Sequence, residues 1–380
     1  EEKDGKLTYN GVVYNEMKGA FSSPEEVLGR TVMSTLFPYT PYGVESGGDP
    51  RVIPELSYEE FLNFHRKYYH PSNSYLYLYG NMNMEEKLDW IDREYLSRFD
   101  RIQVDSAIPL QKPFGQTAQI RMSYPVLEQE PLEHNTYLAS SRVVGDSLDT
   151  TLNVAFSVLE YALLDAPGAP VKQALLDARI GKDVEGSYED GILQPYFSIV
   201  AKQADPEDKD RFEQVIRESL EKLVREGVDR KALASGINYF EFRFREADYA
   251  SFPRGLIYGL DMLDSWLYDA NRPFDYLKQL SIFEDLKRRA GEGYFEELIQ
   301  KYLLENPHGA VIVLEPERGL AEKREAETAG YLEQYRQSLS EAEVESLVRA
   351  TAELKAYQEA EDSPEAAESI PLLKRGDIER

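Results

Sequence analysis

The sequence predicts an α+β chain: two mostly antiparallel sheets covered by helices, followed by a helical hairpin. Three observations carry that expectation. Segments of helical periodicity alternate with hairpin-like strand pairs. The alternation occurs in two blocks, separated by the linker-like stretch DSAIPLQKPFGQ at 105–116. From Glu317 the composition turns to alanine, glutamate and leucine with no strand signal. Such alternation fits helix-covered antiparallel sheets better than a doubly wound parallel fold. The expected domains are 1–105, the C-terminal part of a first domain, 106–316, a second domain of the same type, and 317–380, a helical region.

In the first block, Gly11 to Phe21 reads as a helix with Val12, Val13 and Met17 as core material. Glu16 among them is either aimed at solvent or held for a purpose. Ser23-Pro24-Glu25-Glu26 supplies an N-cap, a proline at the first helical position and a capping-box acid, and Val27, Leu28, Val32 and Leu36 follow on one face. The glycine-rich YGVESGGDP is a loop. Ser57 and Glu60 open a helix through Phe61, Phe64 and Tyr68; His70-Pro71-Ser72-Asn73 turns into SYLYLYG, whose alternation predicts a strand. Asn83 and Glu86 cap a helix carrying Leu88, Ile91, Tyr95 and Phe99.

The second block predicts strands near Gln119–Val126 and Thr136–Val144, then a helix with Leu152, Ala155, Phe156, Leu159 and Leu163 inward. After the turn DAPGAP, a helix with Val171 and Leu175 leads to strands near Asp183–Tyr188 and Tyr196–Lys202. Asp205 caps the next helix, with Pro206 at its first position and Gly227 past its end. Helices around Lys231–Ala247 and Pro253–Tyr268 precede one at Tyr294–Leu304 and the strand Ala310–Leu314. Beyond Glu317, Ser340 with Glu343 caps a second helix of the tail, which reads as a hairpin or as a solvated charged segment.

The 380 residues exceed one ordinary core and carry 43 basic against 69 acidic side chains, a net charge of -26. That field repels a phosphate backbone, so no nucleic-acid partner is expected. It either attracts cationic peptides or serves solubility. With no cysteine, thiolate nucleophiles and disulfides are excluded, and the cytoplasm is the favoured compartment. No stretch reaches the ~18 continuous apolar residues of a membrane span. A soluble chain without a membrane partner is therefore expected, and its start at Glu1 without an initiating methionine suggests a piece of a longer one.

The four histidines are His65, His70, His134 and His308, and no two stand at the i, i+4 spacing of a helical zinc pair. His65 reads as a surface or structural residue, and His70 as a turn residue bonding nearby backbone. No G-x-S-x-G elbow occurs, and SGGDP lacks the lysine of a phosphate loop. From the residues alone Glu16 is a solvated helix position or a ligand, and no active site is complete.

The ordered run of GVVYNEMKGAF, YGVESGGDP with IPELSYEEF, and FHRKYYHPSNSYLYLYG, then LLDAPGAPVKQALLDARIGKDV with GILQPYFSIVAKQ, resembles the presequence-protease branch of the pitrilysin and insulin-degrading-enzyme superfamily of inverted zincins. The resemblance implies a mitochondrial-processing-peptidase-like metallohydrolase fold and a zinc metalloendopeptidase that degrades unfolded peptides in an enclosed chamber, zinc-activated water attacking the scissile carbonyl. Its metal is held by an H-x-x-E-H helix and a distant glutamate, which falls on Glu16 here. No H-x-x-E-H is present, and the family order places it before residue 1. Glu16 is thus the metal-ligand candidate, with no catalytic residue assigned in the chain and no substrate-binding residue identified. The resemblance further implies a central fragment that is inactive and does not hold zinc alone. Its partners would be peptide substrates and the missing N- and C-terminal parts of the parent. The alternatives are a non-catalytic peptide-binding or scaffold subunit of the same superfamily, or an interaction protein built on the helical tail.

Overall fold

The computed structural model describes residues 5–377 and divides into two compact units. One is Gly11–Leu320; the other gathers the described residues up to Asn10 with those from Ala321 onward.

The larger unit begins with α1 (Val12–Ala20) and α2 (Pro24–Leu36). Ser23 caps α2, its hydroxyl accepting from the Glu26 amide at 3.5 Å, with Pro24 at the first helical position as expected. Helices α3 (Tyr58–Tyr68) and α4 (Met84–Glu94) also start at their expected caps. In α3 the box is reciprocal: Ser57 Oγ accepts from the Glu60 amide at 3.2 Å, and the Glu60 carboxylate accepts from the Ser57 amide at 2.9 Å. Neither α3 nor α4 contains a buried residue.

Next come β1 (Ala118–Val126), β2 (Thr136–Val143), α5 (Thr150–Glu160) with a π turn at Tyr161–Asp165, α6 (Pro170–Asp177), β3 (Asp183–Glu189) and β4 (Tyr196–Ala204). Then follow α7 (Lys209–Glu226), α8 (Arg230–Glu246), α9 (Arg254–Trp266), α10 (Leu280–Arg289), α11 (Tyr294–Leu298) with a π turn at Ile299–Leu304, and β5 (Gly309–Arg318). Gly227 takes φ 92° just beyond α7, a left-handed position that a side chain would strain. Helix α10 lies in a stretch where no helix is expected from the sequence.

The five strands form one sheet in the order β1-β5-β2-β4-β3, antiparallel except for the β1/β5 pair. Both faces are covered. On one, Leu138, Phe197, Ile199 and Val313 pack with Phe156, Leu159 and Phe212 from α5 and α7. On the other, Ala139, Val143, Ile312 and Leu314 meet Val27, Leu28, Val32 and Leu36 of α2. Double coverage explains GAVIVL at 309–314: the strand buries every residue of that run and shows no polar alternation.

Among the described residues there is no second sheet, which corrects the two-sheet expectation. Residues 75–79 are free of regular structure despite the strand-like pattern. A ladder needs a neighbour, and no described backbone group bonds to theirs.

In the smaller unit, α12 (Leu320–Ser338) and α13 (Glu341–Glu359) meet at the expected break. Ser340 Oγ accepts from the Glu343 amide at 3.3 Å and the Glu343 carboxylate accepts from the Ser340 amide at 2.7 Å. No helix among the described residues is long and apolar enough to cross a membrane.

Candidate metal-ligand helix and carboxyl cluster

Helix α1 buries one side chain, and its last carbonyl, on Ala20, accepts from Arg30 Nη1 at 3.2 Å. Met17 is its buried residue, and the loop 45–53 closes over it because Gly47 presents bare backbone; a Cβ there would overlap the Met17 sulfur. Gly48, at φ 91°, sends the chain on to Ile53. Arg30 secures the same loop through the Glu45 carboxylate at 2.5 Å.

Glu16 precedes Met17 and points elsewhere. It is exposed, four residues after Val12 and three after Val13, so the three share one helical face. The valines are 84% and 54% exposed. They are therefore not core residues of this chain, contrary to the sequence expectation, because no described element covers their side of the helix.

The histidines do not gather around Glu16. His65 is exposed on α3 and stacks on Tyr69 at 4.5 Å. His70 Nδ1 accepts from the Ser72 amide at 3.1 Å, the backbone-bonding turn role expected of it. His134 Nδ1 lies 2.6 Å from Asp205 Oδ2. His308 is buried, its Nε2 2.9 Å from the Leu36 carbonyl, and burial pushes its pKa down. Among the described residues no group of three or more histidine, aspartate or glutamate side chains could hold a metal ion. The residues present do not fit a complete zinc centre, which needs three protein ligands.

Sequence reasoning missed a different group. Asp261 and Asp264 stand one turn apart on α9, and Asp190 follows β3. Burial is the first cause that pushes all three carboxyls up, and the Asp190 charge adds to it for the other two: Asp261 to about 6 and Asp264 to about 8. Among the described residues no lysine or arginine forms an ion pair with any of them. Tyrosines crowd the same region. Tyr268 OH lies 2.7 Å from Tyr42 OH, Tyr276 OH donates to the Ser147 carbonyl at 2.6 Å, and Asp264 helps keep both phenols protonated. Burial and the neighbouring carboxylates thus favour the protonated form of Asp264 near neutral pH. The signal was present as D-M-L-D inside an otherwise apolar helix, two acids at i, i+3 on a face with little water.

Known proteins resemble this chain across its whole length. Residues 55–239 match the family described as Peptidase M16 inactive domain, and residues 314–380 match a second family, described as associated with the C subgroup of the M16 peptidases. "Protein HypA" of Clostridium perfringens is 42% identical over 380 residues, covering 100% of this chain and 39% of that protein. "Presequence protease 1, chloroplastic/mitochondrial" of Arabidopsis thaliana is 37% identical, covering 98% of this chain and 35% of that protein. "Presequence protease, mitochondrial" of Danio rerio is 28% identical over 98% of this chain and 36% of its own length. The chain thus spans between 35% and 39% of these relatives. The plant and fish names place those proteins in mitochondria or chloroplasts, so the cytoplasmic expectation finds no support in them. Of solved structures, a protease from Helicobacter pylori aligns with TM-score 0.62 and 17% identity over 80% of this chain and 70% of that one. A peptidase M16 inactive domain from Pseudomonas fluorescens aligns with TM-score 0.58 and 16% identity over 80% of this chain and 69% of that one, and both likenesses concern the fold alone. The chain belongs to the M16 peptidase family, on its presequence-protease branch.

Proposed function

We propose that these residues form part of a longer zinc metalloendopeptidase that degrades unfolded peptides in a closed chamber, with Glu16 as one ligand of its metal. The observation that supports this reading is the 37% identity to a presequence protease over 98% of this chain. In this reading residues 1–105 end the zinc-type domain, 106–316 wall the chamber, and 317–380 begin a helical linker. Zinc, when bound, supplies Lewis-acid activation of water. What this chain provides is a carboxylate on an uncovered helical face, held in place through Met17 and the 45–53 loop. One carboxylate does not hold zinc against water, so the 380-residue chain alone is inert and its other ligands come from the rest of the protein. The partners are peptide substrates and those remaining parts; a net charge of -26 argues against nucleic acid.

The test compares the full-length protein, its Glu16→Gln form and the 380-residue chain for bound zinc, by elemental analysis, and for turnover of a fluorogenic peptide. The full-length protein is expected to hold zinc and cleave. Glu16→Gln should lose zinc and the 380-residue chain should do neither. Undiminished zinc in Glu16→Gln, or turnover by the chain alone, overturns the assignment.

A further inference from the structure

Helix α1 is short and buries little. Its nine residues are fewer than an isolated helix needs in water, and Met17 is the one side chain it buries. Burial at one point fixes how far a helix stands from its neighbour, and not its angle. Glu16 is next to that point, so any change of angle swings its carboxylate relative to the rest of the molecule.

Arg30 supplies a second point, from an element packed on the sheet. It belongs to α2, whose Val27, Leu28, Val32 and Leu36 lie against the five-stranded sheet. Its guanidinium is engaged on every side. Nη1 donates to the Ala20 carbonyl at 3.2 Å, one of the last carbonyls of α1, which have no partner within a helix. Nε donates at 2.5 Å to Glu45, in the loop that closes over Met17. Nη2 donates at 3.2 Å to Glu26, one turn back on α2. The flat face lies 4.2 Å from the centre of the ring of Phe21, the residue that ends α1. The side chain is 17% exposed, so these bonds meet little competition from water. Its charge also suits the negative end of a helix. A lysine ammonium, a point charge on a flexible stem, could not serve three acceptors and a ring at once.

We infer that Arg30 is the positioning residue of the Glu16 carboxylate: by tying the end of α1 and the loop over Met17 to α2, it fixes where that carboxylate stands relative to the sheet. The inference rests on the reading of Glu16 as a metal ligand and adds what sets its place. Ala20 follows Glu16 by four residues, about 6 Å along the helix, so movement at the tie is passed to the carboxylate. Misplacing such a group by about 1 Å costs on the order of a hundredfold.

The full-length protein tests this with Arg30→Met, which keeps an apolar stem and removes the fork. Hydrogen exchange at α1 amides is expected to become at least about tenfold faster while β4 amides keep their protection. The zinc dissociation constant, measured by chelator competition, should rise about 10- to 100-fold. At saturating zinc a fluorogenic peptide should show a lower kcat with KM unchanged. Arg30→Lys should recover part of the zinc affinity. Glu26→Gln, which removes the one polar partner outside α1 and its loop, should change none of these. Undiminished zinc affinity in Arg30→Met overturns the inference, as does an equal loss in Glu26→Gln. A loss accompanied by rapid exchange at β4 assigns Arg30 to the fold as a whole and overturns it too. Glu45→Gln is the milder variant, loosening the loop alone: it should weaken zinc binding in the same direction with β4 unchanged, and no weakening there also counts against the inference. Glu16→Gln, measured in parallel, separates the two proposals. Zinc lost there but kept in Arg30→Met defeats this one alone; zinc kept there defeats the ligand reading and this inference with it.

Discussion

Replacing Asp264 by asparagine should stabilise the protein at pH 8 and leave it unchanged near pH 4. Burial, then the charges of Asp190 and Asp261, raise the Asp264 carboxyl from 3.8 to about 8. Between those values the folded state holds a proton that the unfolded chain releases. Stability therefore falls as pH rises through this window, the reverse of an ion-paired aspartate. At about 1.4 kcal/mol per unit, the shift of roughly 4 units has a ceiling near 6 kcal/mol. Asp264 is half-buried, and solvent screening reduces the expected gain of Asp264→Asn to about 2 kcal/mol at pH 8. Urea unfolding at pH 4 and pH 8 measures it, followed by the fluorescence of Trp266 at the end of α9. An exposed acid, Glu359→Gln, controls for net charge. No gain at pH 8, or the same gain at both pH values, would refute the reasoning.

Two further outcomes follow from burial. Ile312→Ala empties a fully buried site between the sheet and α2 and should cost about 2–5 kcal/mol in urea unfolding; a cost below about 1 kcal/mol would mean that α2 collapses into the space. His308, buried beside the Leu36 carbonyl, should remain neutral at pH 6.5 in an NMR titration. Because its folded pKa is depressed, its contribution is present above the unfolded value and is lost as pH falls below it, and a midpoint at or above 6.5 contradicts the packing.

Features written in a few neighbouring residues were legible. Ser23, Ser57 and Ser340 each announced a helix, and each accepts the amide three residues on. The run GAVIVL announced a strand, although its burial on both faces depended on α2 lying across it. Helix α10 escaped because its N-cap, Gln279, makes no side-chain cap and so leaves no start signal. The acid cluster escaped for another reason. Asp190 and Asp264 are 74 residues apart in the chain, and only the folded arrangement makes their charges felt by each other.

The discrepancies between pattern and burial are concentrated in one region. From β1 to β5 the residues expected inside are inside, with Phe156, Leu159, Phe212 and Ile312 all sealed. In the stretch before β1, Val12, Phe61, Phe64 and Trp90 carry helix-face positions that a core would use, and they are 84%, 63%, 60% and 56% exposed. Scattered apolar residues on a surface need no explanation, but large ones on helix faces of α1, α3 and α4 together do. The same segment carries Glu16, on a face it shares with two uncovered valines. A surface that would cover those valines would also enclose the carboxylate and restrict its water. On the reading proposed for Glu16, apolar burial there and its metal role would follow from one docking event, and a full-length protein in which Val12 stays exposed would deprive Glu16 of both.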